Sequence, residues 1–288
     1  MAATWKIVSP ALDKDEANKL SKSLEGFHEP PADAIALFEI DEELNLWQVE
    51  AYFQDKPLIE NISGYEGLAE FEVEKLPNSD WVSKSYENLA PIHAGRFFVH
   101  GAHDRHARPG GGVSVEIDAG LAFGSGHHGT TKGCLLAIDQ VLKKRRPRRV
   151  LDIGCGTGVL AIAAAAGARV PVVASDIDPV AIDVTRENAR KNEKGPLVRA
   201  LVAGGVSHNL ILASGPYDLI LANILAGPLV QMSTLLARQV APGGALILSG
   251  LLLSHEARII SAYRLAGLTL KQRWQLDGWS TLLLSRPG

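Results

Sequence analysis

Apolar positions in the first quarter of the chain recur at two spacings, and each predicts a different element. Residues 4–8 read as a strand, after which Ala17, Leu20, Leu24 and Phe27 share one face of a helix opened by Asp13, Asp15 and Glu16. Pro30-Pro31 ends that helix. The apolar run 34–40, the polar break Asp41-Glu42-Glu43 and the alternation of Trp47, Val49, Ala51 and Phe53 predict a strand hairpin, with Trp47 and Phe53 in the core. A short helix is expected within 57–68, followed by a strand carrying Phe71 and Val73. The order strand-helix-strand-strand-helix-strand describes an open-faced α/β sandwich, a small domain over residues 1–78 with its boundary at Asn78-Ser79.

From Asp80 the pattern changes to apolar strands alternating with longer helical segments, the mark of a doubly wound, mostly parallel sheet over residues 79–288. Val150-Leu151-Asp152-Ile153 reads as a buried strand, 159–166 as a helix of small residues, 170–175 as the next strand, and 178–192 as a helix begun by Asp178-Pro179. Residues 219–222, 245–248 and 281–284 supply further strands.

Composition narrows the class without changing this picture. With 288 residues, 46% hydrophobic and 21% charged, the chain has enough apolar side chains for a buried core. No apolar run is long enough to span a bilayer, and two cysteines, Cys134 and Cys155, exclude a disulfide framework or a zinc site built mainly of thiolates. A soluble, cytoplasmic protein is expected. A net charge of -3 gives no general pull toward nucleic acid. The run Lys143-Lys144-Arg145-Arg146-Pro147-Arg148-Arg149 is the local exception; it falls where a helix should end, so it reads either as a solvated connection or as an RNA contact. Six of the nine histidines fall between His93 and His128, without acidic or thiol partners at metal-ligand spacing, and no metal site is expected.

The chemistry gathers around Asp152-Ile153-Gly154-Cys155-Gly156-Thr157-Gly158, between a buried strand and a helix, where open α/β sheets bind ligands. The spacing is Gly-x-Gly-x-Gly; the dinucleotide fingerprint would need glycine at Val159. Asp176, one helix and one strand later, stands at a strand end where a carboxylate can accept hydrogen bonds from both ribose hydroxyls of an adenosine-containing ligand, or simply cap a turn.

Together these residues resemble the class I S-adenosylmethionine methyltransferases. Two further segments, 120–131 (Gly-Leu-Ala-Phe-Gly-Ser-Gly-His-His-Gly-Thr-Thr) and 222–228 (Ala-Asn-Ile-Leu-Ala-Gly-Pro), make the chain similar to the bacterial ribosomal protein L-eleven methyltransferase family over essentially its whole length. The resemblance implies a seven-stranded Rossmann-like catalytic domain preceded by a ferredoxin-like recognition domain. It also implies S-adenosylmethionine as cofactor, and lysine side chains and the N-terminal amine of ribosomal protein L-eleven as acceptors. By motif position Gly154, Gly156 and Gly158, with Asp152, would hold the amino acid end of the cofactor and Asp176 its ribose. Thr131 would contact the cofactor, Phe123 and His128 would line the pocket, and Asn223 would sit where methyl donor and amine meet. Ile224-Leu225 in place of a Pro-Pro pair after Asn223 counts against a planar amide or base acceptor. The expected partner is the ribosomal protein, free or on the large subunit, met by a monomer that needs neither membrane nor direct nucleic acid contact. Another protein, an RNA or a small amine as acceptor, a nicotinamide-dependent oxidoreductase and an inactive regulatory module are the competing readings.

Overall fold

The computed structural model describes residues 5–25, 32, 34–41, 46–53, 55–57, 71–75, 91–117 and 128–288. The chain divides into two compact units, Met1–Asn88 and Leu89–Gly288. The expected boundary at Asn78-Ser79, residues 58–68 of the expected second helix, and Phe27, Pro30-Pro31 and Phe123 lie outside the described residues.

The first unit is built on β1 (Trp5–Val8), β2 (Leu12–Asp13), β3 (Ala34–Asp41), β4 (Leu46–Phe53) and β5 (Glu72–Lys75). The strands run β3-β4-β1-β5 across the sheet, and every pairing is antiparallel. This is the order of a split βαβ sandwich, in which the strands joined by a crossover are not neighbours. Pro10 has no N–H to give the ladder, so the strand along β4 breaks there and resumes as β2. The Ser9 hydroxyl takes up the slack, accepting from Val49 N–H at 2.9 Å. Helix α1 (Lys14–Glu25) is started by Asp13, whose Oδ1 accepts from Glu16 N–H at 2.8 Å. Its apolar stripe, Ala17, Leu20 and Leu24, is buried against Ile7, Val49, Ala51 and Phe53. Trp47 is only partly buried at the edge of that core, with the Lys14 ammonium 4.9 Å from its ring centre.

The second unit opens with three short strands, β6 (Ile92–Ala94), β7 (Phe97–His100) and β8 (Val113–Glu116), forming a small sheet of its own. Periodicity gives no sign of it, because all four residues of β7 are buried and the strand does not alternate. Helix α2 (His128–Lys144) follows. Next come β9 (Val150–Ile153), helix α3 (Val159–Ala168), β10 (Val172–Asp176), helix α4 (Pro179–Lys191) and β11 (Val198–Val202). After the short helix α5 (Asn209–Ser214) the chain continues through β12 (Tyr217–Asn223), α6 (Ala226–Gln231), α7 (Ser233–Gln239) and β13 (Val240–Leu252). It closes with helix α8 (Glu256–Leu265), β14 (Thr269–Leu276) and β15 (Trp279–Ser285).

The seven-stranded sheet runs β11-β10-β9-β12-β13-β15-β14, parallel except where β15 lies antiparallel to β13 and β14. This is the doubly wound, mostly parallel architecture expected from the sequence. Both faces are covered, which is why its central strands are almost continuously apolar. Helix α3 is apolar all round; Ala161, Ile162, Ala163 and Ala165 are fully buried, and the small side chains let it nest between sheet and neighbouring helices. The order in which strands are added reverses between the parallel neighbours β9 and β12, since the chain leaves β9 toward β10 on one side and arrives at β12 on the other. In open α/β sheets that crevice, beyond the strands' C-terminal ends, is where ligands bind.

Candidate functional site

The turn after β9 sits at this switch point. Gly154, Gly156 and Gly158 all have positive φ, at 67°, 53° and 81°. At Gly154 both conformation and space demand glycine, because a Cβ there would collide with Cγ2 of Ile224, just past the end of β12. Gly154→Ala should therefore destabilise the fold by about 2–4 kcal/mol, from left-handed strain plus overpacking, or roughly 5–15 °C in Tm. A thermal melt unchanged from the parent would contradict this account of the turn.

Helix α4 holds the turn from behind. Thr185 Oγ1 donates to Gly156 O at 2.8 Å and lies 3.3 Å from the Cys155 thiol, and Asn188 Nδ2 donates to Thr157 O at 2.9 Å. On its open side the Asp176 carboxylate closes the turn, accepting from Gly156 N–H at 2.9 Å through Oδ2 and from Asp178 N–H at 3.1 Å through Oδ1. Asp176 is thus part of the turn as well as a free acceptor, since each carboxylate oxygen keeps a lone pair beyond the one used. The next side chain, Ile177, is apolar yet 76% exposed, and a Cβ on Gly156 would meet nothing within 4 Å. The cradle is open there and closed behind.

Asp152, two residues ahead of the first glycine, is fully buried and neither carboxylate oxygen meets a donor in hydrogen-bond geometry. Burial pushes its carboxyl up to about 7; the backbone N–H of Ala161 pulls only partly the other way, and the negative charge of Asp176 adds to the rise. A buried orphan carboxylate beneath an open cradle favours a cation above it.

Asn223 ends β12, in register with Ser249 on β13. Its Nδ2 donates to Thr130 Oγ1 at 3.4 Å, which leaves Oδ1 as an acceptor. Ser249 lies 2.7 Å from Thr281 Oγ1 and 3.4 Å from the carbonyls of Thr130 and Ser280, tying the start of α2 to β13 and β15. Gly250 continues the seam, for a Cβ there would meet the backbone of Ile224. Thr131 is buried in the first turns of α2, beside Thr130; His128 begins that helix, and its side chain, like Phe123, lies outside the described residues.

The fold therefore brings the glycine turn, Asp176 and Asn223 to one crevice. Sequence reasoning missed Thr130, Ser249, Thr185, Asn188 and Ile177. The available signals were slight: polar residues on the buried face of α4, a Ser-Gly pair closing the apolar run of β13, and an exposed isoleucine after a strand-end acid.

A family described as ribosomal protein L11 methyltransferase matches residues 11–287 of the chain. A protein of that name from Brucella abortus (strain S19) is 42% identical over 275 residues, covering 95% of this chain and 96% of its own. One from Rhodopseudomonas palustris (strain BisB5) is 47% identical over 260 residues, covering 88% of each chain. Among solved structures, the ribosomal protein L11 methylase of Lactobacillus delbrueckii subsp. bulgaricus superposes with a TM-score of 0.62 at 26% identity, over 69% of this chain and 99% of that one.

Proposed function

Because the chain belongs to the ribosomal protein L11 methyltransferase family, we propose that it methylates amines of ribosomal protein L11, lysine side chains and the N-terminal amine among them, with S-adenosylmethionine as donor. The observation that carries this reading is the meeting of the glycine turn, Asp176 and Asn223 at the switch point of the sheet. Bound there, S-adenosylmethionine supplies a methyl group already activated on a sulfonium sulfur, open to direct displacement.

The chain's own residues bind, orient and exclude water. The backbone of Gly154, Gly156 and Gly158, with Thr131 nearby, receives the amino acid end of the cofactor. Asp176 accepts from the ribose hydroxyls with its remaining lone pairs, and Ile177 offers an apolar face to the adenine. Phe123 and His128 belong to the pocket wall in this reading. Asn223 takes the acceptor amine: Nδ2 is held by Thr130, so Oδ1 accepts an N–H of a neutral amine and turns its lone pair toward the methyl carbon. A free lysine amine has a pKa of about 10.4, and transfer into a dry crevice next to a cation lowers it. The first unit serves as the recognition element, and the enzyme acts in the cytoplasm as a monomer on L11, free or on the large subunit. Among the described residues no helix is long and apolar enough to cross a membrane.

Asp152 gives the cofactor site a pH signature. Its folded-state carboxyl titrates near 7, above the unfolded value of 3.8, so between these pH values the folded protein holds a proton that the unfolded chain releases. Stability of the ligand-free protein therefore falls as pH rises through that window, and the full penalty stands above it. A bound cation lowers the same pKa, so cofactor binding below pH 7 should release a proton and tighten as pH rises toward 7. Calorimetry in buffers of different ionisation enthalpy reads this directly. Asp152→Asn should abolish the proton release, weaken binding and raise Tm at pH 8; persistence of the proton release would assign it to another group.

The function itself is tested by mass spectrometry of large-subunit ribosomal proteins after incubation with the enzyme and isotopically labelled S-adenosylmethionine. Label confined to amines of L11 is expected. Label on another protein or on RNA would overturn the substrate assignment.

A further inference from the structure

The basic run 143–149 takes no part in the chemistry above. It comprises the last two residues of α2 and the connection to β9, at the end of the sheet opposite the glycine turn. Three of its guanidiniums are anchored on backbone carbonyls: Arg145 donates to Asp218 O, Arg146 to Ala168 O and Arg169 O, and Arg149 to Gly215 O. Such bonds fix the orientation of an arginine and leave its charge unneutralised. Arg96 and Arg169 join the run from β7's turn and the end of α3, and together with Arg146 they line an open cleft of about 280 Å³ over Leu142, Gly167 and Ala168. Among the described residues two carboxylates touch this group. Asp139 pairs with Arg96 and Lys143, and Asp218 accepts from the backbone N–H groups of Arg148 and Arg149.

Cations near helix C-termini are favourable, which accounts for Lys143 and Arg146. It also covers Lys144, the last residue of α2, and Arg169, the C-cap of α3, but not Arg148; all three are exposed and make no side-chain hydrogen bond or ion pair among the described residues. The chain as a whole carries -3, so positive charge is segregated to this face against the sign of the rest. We propose that this basal face binds the phosphate backbone of RNA, remote from the methyl-transfer site and independent of it. The guanidiniums of Arg96, Arg146 and Arg169 keep N–H donors beyond those given to Asp139 and to the carbonyls of Ala168 and Arg169, which suits the oxygens of a phosphate at the cleft these residues line, and the remaining cations along the ridge suit a polymer of them. Among the described residues the cleft lining holds no aromatic ring for base stacking, so recognition is of backbone and is tolerant of sequence.

The test titrates the full-length protein into a short fluorescein-labelled single-stranded RNA at several salt concentrations, read by anisotropy. The variant Lys144→Gln/Arg148→Gln/Arg169→Gln removes charges that make no side-chain pair among the described residues, so its melt should change only by the small helix-end contribution of Lys144 and Arg169, and its cofactor affinity serves as the unchanged control. The parent should bind with an affinity that falls steeply with salt. The variant should bind about tenfold or more weakly at low salt, with the logarithmic salt slope shallower by about 2. Absence of RNA binding by the parent at low salt, or equal affinity and slope in the variant, overturns the proposal. So does displacement by inorganic phosphate alone, which would mark a small-anion site, or by polyglutamate at equal charge, which would mark a surface for an acidic protein.

Discussion

Asn223→Ala should lower kcat for methylation of L11 about a hundredfold while changing the affinity for S-adenosylmethionine little. Misplacing a reacting group by about 1 Å is enough for such a loss in a reaction that depends on alignment more than on acid-base chemistry. In the parent, Thr130 Oγ1 holds the amide by Nδ2, and in the proposed mechanism Oδ1 directs the amine. Alanine removes that acceptor and leaves the crevice walls, so the loss falls on the chemical step. Asn223→Asp keeps an acceptor oxygen and should recover part of the rate, whereas Thr130→Val, which frees the amide to rotate, should fall between parent and Asn223→Ala. Single-turnover kinetics with labelled cofactor separate these steps. An Asn223→Ala enzyme with parental kcat would show that the amine is oriented elsewhere.

Asp176→Ala should weaken S-adenosylmethionine binding about ten- to a hundredfold, the equivalent of roughly 1.5–3 kcal/mol for hydrogen bonds to a charged acceptor. Two contributions combine. The ribose hydroxyls lose the acceptor proposed for them, and the glycine turn loses the carboxylate that accepts from Gly156 N–H and Asp178 N–H. Asp176→Asn separates them, because an amide keeps one acceptor oxygen for the turn but loses the charge and half the acceptors. Calorimetric titration of the three proteins would read the series. Parental affinity in Asp176→Ala would remove the ribose assignment.

Much of this candidate site is legible in the sequence. A buried strand followed by glycines and then a helix announces a turn that a ligand can approach, and the helix opening at Asp178-Pro179 locates the strand end where Asp176 stands. The structure bears out Asp178 as a cap, since its Oδ1 accepts from Val180 N–H at 2.8 Å. Such features are local: a few neighbouring residues carry the whole signal, through dihedral preference, capping and periodicity. The small sheet of β6, β7 and β8 escaped the same reasoning because its strands are three or four residues long, and β7 is buried throughout instead of alternating. Helix α1 and the antiparallel strands of the first unit were legible for the opposite reason, their apolar stripe and alternation being long enough to read.

What the sequence by itself determined, then, is the kind of element at most positions and the identity of the residues at strand ends, because backbone preference and side-chain period act over a single turn or strand. The tertiary structure alone decided which strand ends become neighbours. The order β11-β10-β9-β12-β13-β15-β14 sets Ile224 against Gly154, Asn223 against Thr130, and Ser249 between α2 and β15. It also buries Asp152 with no donor in hydrogen-bond geometry and gathers Arg96, Arg146 and Arg169 around one cleft. These facts are set by packing between segments far apart in the chain, where burial fixes a pKa and proximity fixes a hydrogen bond, and no local spacing of residues encodes either.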